Sequence, residues 1–129
     1  MKISRNIVAF SLFVFTLPCL GEPMALSKRQ FLSPREAASL QQKVTYLDVR
    51  STLEWLRGHI KGAVHIPYDE VADKVAALIP DRSTPVIAYC ASGGRARSVV
   101  DAMQKLGYTV VPVVNGGYRE LIANGLEKD

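Results

Sequence analysis

Pro85-Val86-Ile87-Ala88-Tyr89-Cys90-Ala91-Ser92-Gly93-Gly94-Arg95-Ala96-Arg97-Ser98-Val99-Val100 is the stretch that decides the fold of this chain. Pro85 to Tyr89 is a short apolar run with Pro only at its first position, and it reads as a central, buried strand. A Gly-containing loop follows. From about Ala96, the residues Val99, Val100, Met103 and Leu106 stripe one face of a helix that Gly107 stops. Strand, tight loop and helix in that order form half of a parallel β-α-β unit.

The same alternation continues outward. Upstream, Val71, Val75, Leu78 and Ile79 mark the apolar face of a helix from about Asp69 to Ile79, closed by Pro80. Ala63 to Ile66 is a short strand ended by Pro67. Ser51-Thr52-Leu53-Glu54 is a capping box; it opens a helix of one to two turns through Trp55 and Leu56, which Gly58 stops. Val44 to Val49 is an apolar, β-branched run suited to a buried strand. Ser33-Pro34-Arg35-Glu36 is a second capping box, with Pro at the first helical position, and predicts a helix to about Gln42. Downstream, Thr109 to Val114 reads as a strand, although Pro112 argues against full pairing. Asn115-Gly116-Gly117 turns the chain into a last short helix, Tyr118 to Asn124. The fold class is therefore α/β: three layers, α/β/α, around a central, mostly parallel sheet of about five short strands, four of which the pattern locates.

With 129 residues, 48% of them hydrophobic and 22% charged, the chain has room for one ordinary domain. Disorder and a disulfide-knit miniprotein are excluded. The pattern divides it into a signal peptide over 1–21, a linker over 22–29 and a domain over 30–129. Lys2 and Arg5 precede a charge-free run from Asn6 to Gly21, apolar from Ile7 to Leu17 and broken by Pro18. That run is too short for a spanning helix of roughly 20 apolar residues. Cleavage is expected after Gly21 or Ala25, giving an exported, periplasmic protein with no stable membrane association. The leader holds two of the 16 basic residues and none of the 12 acidic ones, so the mature charge falls from +4 to +2. No basic stripe points to nucleic acid. Cys19 leaves with the leader, and Cys90 remains as the domain's single cysteine. Unpaired in an oxidising compartment, it points to a reactive role.

In open α/β sheets chemistry collects just beyond the carboxyl ends of the strands, where Cys90 stands. Gly93 and Gly94 can take φ > 0, which lets the loop curl with successive N–H groups inward. The following helix adds free N–H groups and its positive end, and Arg95 and Arg97 add formal charge. Such surroundings favour a thiolate over a thiol and hold negative charge delivered to the sulfur. Cys90 is the candidate nucleophile, with Ala91, Ser92, Gly93, Gly94 and Arg95 as its binding loop.

At these residues the chain resembles the rhodanese family of sulfurtransferases. Cys90-Ala91-Ser92-Gly93-Gly94-Arg95 is similar to the family's C-x-S-G-x-R, and Leu47-Asp48-Val49-Arg50 to its LDVR. The segment Glu54 to Ala63 resembles E-[FYW]-x-x-G-H-I-x-G-A, and Asn115-Gly116-Gly117-Tyr118 the closing G-G-[YW]. Lys61 stands where Pro is common, and Leu121 where Trp often follows Glu120. The resemblance implies a rhodanese-like fold and double displacement. A Cys90 thiolate takes the sulfane sulfur of a donor such as thiosulfate, and a thiol or cyanide removes it from the resulting persulfide. No cofactor or metal is implied. A protein sulfur acceptor stays open beside small molecules, as does the oligomeric state. Arg95 is the candidate for orienting the donor's anionic end, with a loop-bracing ion pair as the alternative.

Other residues read as structural. Asp48 would raise the pKa of a thiol it touched, so it reads as a hydrogen-bonding residue. Arg50 could pair with Glu54 or line the mouth of the site. His59 and His65 do not make a metal set, His59 reads as a hydrogen-bonding residue, and Trp55 reads as core. Two other functions compete. A cysteine-dependent phosphatase needs C-x5-R, whereas Arg95 follows Cys90 after four residues and Ala96 holds the fifth-spacing position. A catalytically silent rhodanese-like binding module is the second alternative, set against the retained Cys90.

Overall fold

The computed structural model describes residues 25–129, so the expected leader over 1–21 lies outside the described residues. Among the described residues five short strands and five α-helices alternate: β1 (Phe31–Leu32), α1 (Pro34–Ala38), β2 (Thr45–Asp48), α2 (Thr52–Leu56), β3 (Val64–His65), α3 (Val71–Leu78), β4 (Val86–Tyr89), α4 (Gly94–Lys105), β5 (Val113–Val114) and α5 (Tyr118–Ala123). All strand pairings are parallel, in the orders β3-β2-β4 and β1-β5. The Val86 N–H donates to the Val110 carbonyl at 3.0 Å and draws the two groups of strands together.

Strand alternation sorts side chains to two faces. Val86, Ala88 and Cys90 pack with Leu47, Val75, Val99 and Met103 beneath α3 and α4. Ile87 and Tyr89 pack with Leu32, Tyr46 and Leu121 beneath α1 and α5. Both faces of the sheet are covered, and the three-layer α/β/α expectation holds. Among the described residues no helix is long and apolar enough to cross a membrane.

Both capping boxes form. The Glu36 N–H donates to Ser33 Oγ at 3.1 Å, and the Glu54 N–H to Ser51 Oγ at 3.3 Å, with each glutamate accepting from its serine's N–H in return. Several boundaries differ from expectation for local reasons. Helix α1 ends at Ala38 rather than near Gln42, and Gln42 itself sits at φ 69°, which no right-handed helix contains. The expected helix from Asp69 begins as a 3-10 turn over Tyr68–Glu70, and α3 proper starts at Val71. Val71, Val75 and Ile79 are buried while Leu78, at the margin of that face, is 53% exposed. Of the expected strand Thr109 to Val114 only Val113–Val114 pairs, because Pro112 offers no N–H. The fifth strand, β1, is specified by its partner: Val113 and Asn115 donate to the carbonyls of Gln30 and Leu32 at 2.7 and 2.9 Å.

Candidate active site

Cys90 follows β4 directly, and the alternation of that strand turns its side chain under the first turn of α4, among Ala88, Ala96 and Val99. The thiol is fully buried rather than exposed. The Gly93 N–H donates to Cys90 Sγ at 2.9 Å. Among the described residues it is the one loop amide hydrogen-bonded to the sulfur, where the sequence suggested several. The reason lies in the two glycines. Gly93 takes φ 103° and caps α4, whereas Gly94 is already the first helical residue, two positions earlier than expected. Ala91, Ser92 and Gly94 form the exposed rim of the loop.

The turn at Asn115-Gly116-Gly117 forms the loop's back wall. The Tyr118 N–H donates to the Cys90 carbonyl at 2.9 Å. A methyl group on Gly117 would stand 2.7 Å from the Cys90 carbonyl oxygen and closer still to that of Ala91. In the sequence this Gly-Gly pair reads as a turn and as part of the closing G-G-[YW] motif. Its contact with the cysteine loop had no local signal beyond the small size of Gly117.

Arg95 lies on Glu54 in a two-point ion pair, with Nη1–Oε1 at 2.7 Å and Nη2–Oε2 at 3.1 Å. The geometry is that of the bracing alternative, and it ties α2 to α4. Hydrogen bonds from Arg95, against a smaller burial effect and aided by Ser51, push the Glu54 carboxyl down to about 2. The Arg95 guanidinium is held above its ordinary value, first by Glu54, with the nearby Cys90 sulfur contributing in the same direction. Arg97 is exposed, its Nη2 at 3.5 Å from Asn115 Oδ1.

Arg50 pairs with Asp48 and not with Glu54. Its Nη2 reaches Asp48 Oδ2 and the Gly58 carbonyl, each at 2.7 Å, and Nε meets both carboxylate oxygens at 3.1 Å. The guanidinium also lies over the Tyr118 ring at 4.1 Å. Asp48 is thus the buried hydrogen-bonding residue the sequence indicated. Trp55 is not core: α2 buries none of its residues, and Trp55 is half-buried and stacked on the rings of His59 and His65 at 3.4 and 4.8 Å. His59 Nδ1 is bonded to the Trp55 carbonyl at 3.0 Å.

Two hollows flank the loop, separated by the Glu54–Arg95 pair. One, about 350 Å³, is lined by Arg95, Tyr68, Asp69 and Glu70. The other, about 240 Å³, is lined by Glu54, Arg50, Arg57, Ala91, Tyr118 and Arg119. A larger hollow of about 480 Å³ around Leu26, Arg29 and Leu40 is lined by none of the loop residues.

A family model described as the rhodanese-like domain matches residues 33–124. The chain belongs to the rhodanese-like domain family. The thiosulfate sulfurtransferase PspE of Escherichia coli (strain K12) is 31% identical over 71 residues, covering 55% of this chain and 68% of that protein. A transcriptional regulator of the HTH type from Mycobacterium tuberculosis is 43% identical over 72 residues, covering 55% of this chain but only 29% of its own length. The matched stretch is thus one part of that longer protein. Among solved structures, a rhodanese-related protein from Thermoplasma volcanium superposes with a TM-score of 0.69 at 26% identity, covering 78% of this chain and 97% of that one.

Proposed function

We propose that this rhodanese-like domain transfers sulfane sulfur through a persulfide on Cys90. The thiolate attacks the outer sulfur of a donor such as thiosulfate, the donor's S–S bond breaks, and sulfite leaves with the electron pair. An acceptor nucleophile, thiol or cyanide, then attacks the terminal sulfur and releases the Cys90 thiolate. The observation that carries this reading is the Gly93 N–H aimed at Cys90 Sγ from 2.9 Å, at the start of α4, where a negative sulfur is favoured. Ala91, Ser92, Gly93 and Gly94 enclose the added sulfur, and Arg95 holds the loop in shape while lending its charge to the site. Burial of the resting thiol selects small donors and shields the sulfur from bulk oxidants. Export to the periplasm, with cleavage after Gly21 or Ala25, belongs to the same proposal.

The test is a mass measurement on protein purified from the periplasmic fraction, before and after thiosulfate. We expect the processed terminus and a gain of one sulfur atom on the Cys90 peptide, with thiocyanate formed on adding cyanide. Cys90→Ser should lose both while remaining folded. Turnover by that variant, or sulfur on another peptide, refutes the mechanism. A parallel phosphomonoester assay should stay blank.

A further inference from the structure

The hollow of about 240 Å³ beside the loop carries charge that the ion pairs of the site leave unused. Of its four charged residues, Arg50 is matched by Asp48 and Glu54 by Arg95. Arg57 and Arg119 remain. Both are exposed, and neither side chain makes a hydrogen bond or ion pair among the described residues. They come from different walls, Arg57 from the end of α2 and Arg119 from the first turn of α5, and they share the hollow with Ala91, the residue after the nucleophile. The hollow across the Glu54–Arg95 pair is lined by Asp69 and Glu70, and only Glu70 has a cation, Lys74 at 3.0 Å. An anion approaching the loop is thus drawn to one side and repelled from the other.

We infer that Arg57 and Arg119 form a clamp for the carboxylate of an anionic thiol, the sulfur acceptor in the second half of the cycle; this rests on the persulfide reading above. Guanidinium groups match carboxylates through paired N–H donors. The placement separates this ligand from the donor. In thiosulfate the charged oxygens are carried by the atom bonded to the reacting sulfur, so its charge must lie close to Sγ. A carboxylate-bearing thiol carries its charge several bonds from its sulfur, which suits two cations standing at the rim of a hollow beside the loop rather than over the thiol. The acceptor thiolate attacks the terminal sulfur of the Cys90 persulfide, the persulfide S–S bond breaks, and Cys90 departs as thiolate. The acceptor leaves as its own persulfide, and no oxidant is consumed.

The experiment loads the processed protein with thiosulfate, removes the excess, and verifies the Cys90 persulfide by mass. Single-turnover transfer is then followed to mercaptosuccinate, 3-mercaptopropionate, 2-mercaptoethanol and cysteamine at matched thiolate concentration. We expect rates to fall in that order, with mercaptosuccinate ahead of 2-mercaptoethanol by about tenfold at low salt. The preference should shrink as salt rises. Combining Arg57→Glu with Arg119→Glu should reverse it in favour of cysteamine, and because both side chains are exposed the denaturation midpoint serves as the folding control. Combining Arg57→Lys with Arg119→Lys should keep the order. Three results count against the clamp. Equal rates for all four thiols on a verified persulfide overturn it alone. Glutamate variants that need more thiosulfate for loading yet keep the thiol order reassign the hollow to the donor. Absence of any persulfide on the wild-type protein refutes the sulfur-transfer reading, and the clamp with it.

Discussion

Gly117 and Gly94 show how differently two glycines of one site are constrained. The backbone of Gly117 is extended, so its requirement is purely steric: a methyl group would strike the carbonyl groups of Cys90 and Ala91. Gly117→Ala should therefore push the cysteine loop away from α5, cost about 1–3 kcal/mol by overpacking, and slow persulfide formation. Gly94 has open space where its side chain would stand and helical neighbours on its far side. Gly94→Ala should leave the loop in place and add about 0.4–1 kcal/mol of stability by stiffening the unfolded chain. Urea denaturation beside persulfide formation rates checks the pair, and equal behaviour of the two variants would refute the wall assigned to Gly117. In the sequence both lie in Gly-Gly pairs and look alike. The placement of Cys90 and its loop was legible because strand, loop and helix are neighbours along the chain. The wall was not, because Gly117 lies 26 positions after Ala91 in the chain and only the folded topology brings them together.

Helix α2 depends on polar contacts to an unusual degree. It is five residues long and buries none of them; Leu53 and Leu56 are 59% and 73% exposed. Packing therefore contributes little, and Glu54 contributes twice, once in the capping box with Ser51 and once to Arg95. Its carboxyl is held near 2 instead of the usual 4.5, chiefly by the Arg95 hydrogen bonds. A depressed carboxyl stabilises the fold above its unfolded value and loses that contribution as pH falls from about 4.5 toward 2. Glu54→Gln should cost a few tenths to about 1 kcal/mol at pH 7, a range set by the partial exposure of both partners. The difference between the two proteins should narrow as denaturation is repeated at lower pH. A gap that stays constant down to pH 3 refutes the assignment. At this scale the capping boxes were readable because a cap is a four-residue event, and so was the weak strand around Pro112. β1 was hidden because two residues carry no period, and Trp55 was misplaced because an aromatic in a short helix looks like core when the helix in fact lies outside it.

For the whole molecule the decisive arrangement is the Asp48–Arg50 pair, which joins β2 to the Gly58 carbonyl, the Tyr118 ring of α5 and the Tyr89 ring of β4. Burial opposes the charge on Arg50, yet the Asp48 carboxylate outweighs it and holds the guanidinium above its ordinary value. Tyr89, buried beside them, is pushed up by burial first and by Asp48 next. Asp48 is fully buried and Arg50 is 5% exposed, so removing either partner strands a charge in the interior. Arg50→Met should cost about 3–5 kcal/mol, a large share of the roughly 5–15 kcal/mol that holds a domain of this size. The loss is not the worth of the pair, because most of it is the penalty of an unmatched carboxylate. Combining Asp48→Leu with Arg50→Met removes both charges and should recover much of the stability, although the Gly58 carbonyl still lacks its donor. Urea denaturation of the wild type, both single variants and the double variant resolves the coupling. A double variant no more stable than Arg50→Met would mean that Arg50 acts through Gly58 and the two tyrosine rings rather than through Asp48. Activity provides a second reading of the same series, since the Cys90 loop hangs from β4 and α5. If the pair only holds these elements together, persulfide formation per folded molecule should survive in the double variant wherever its fold survives.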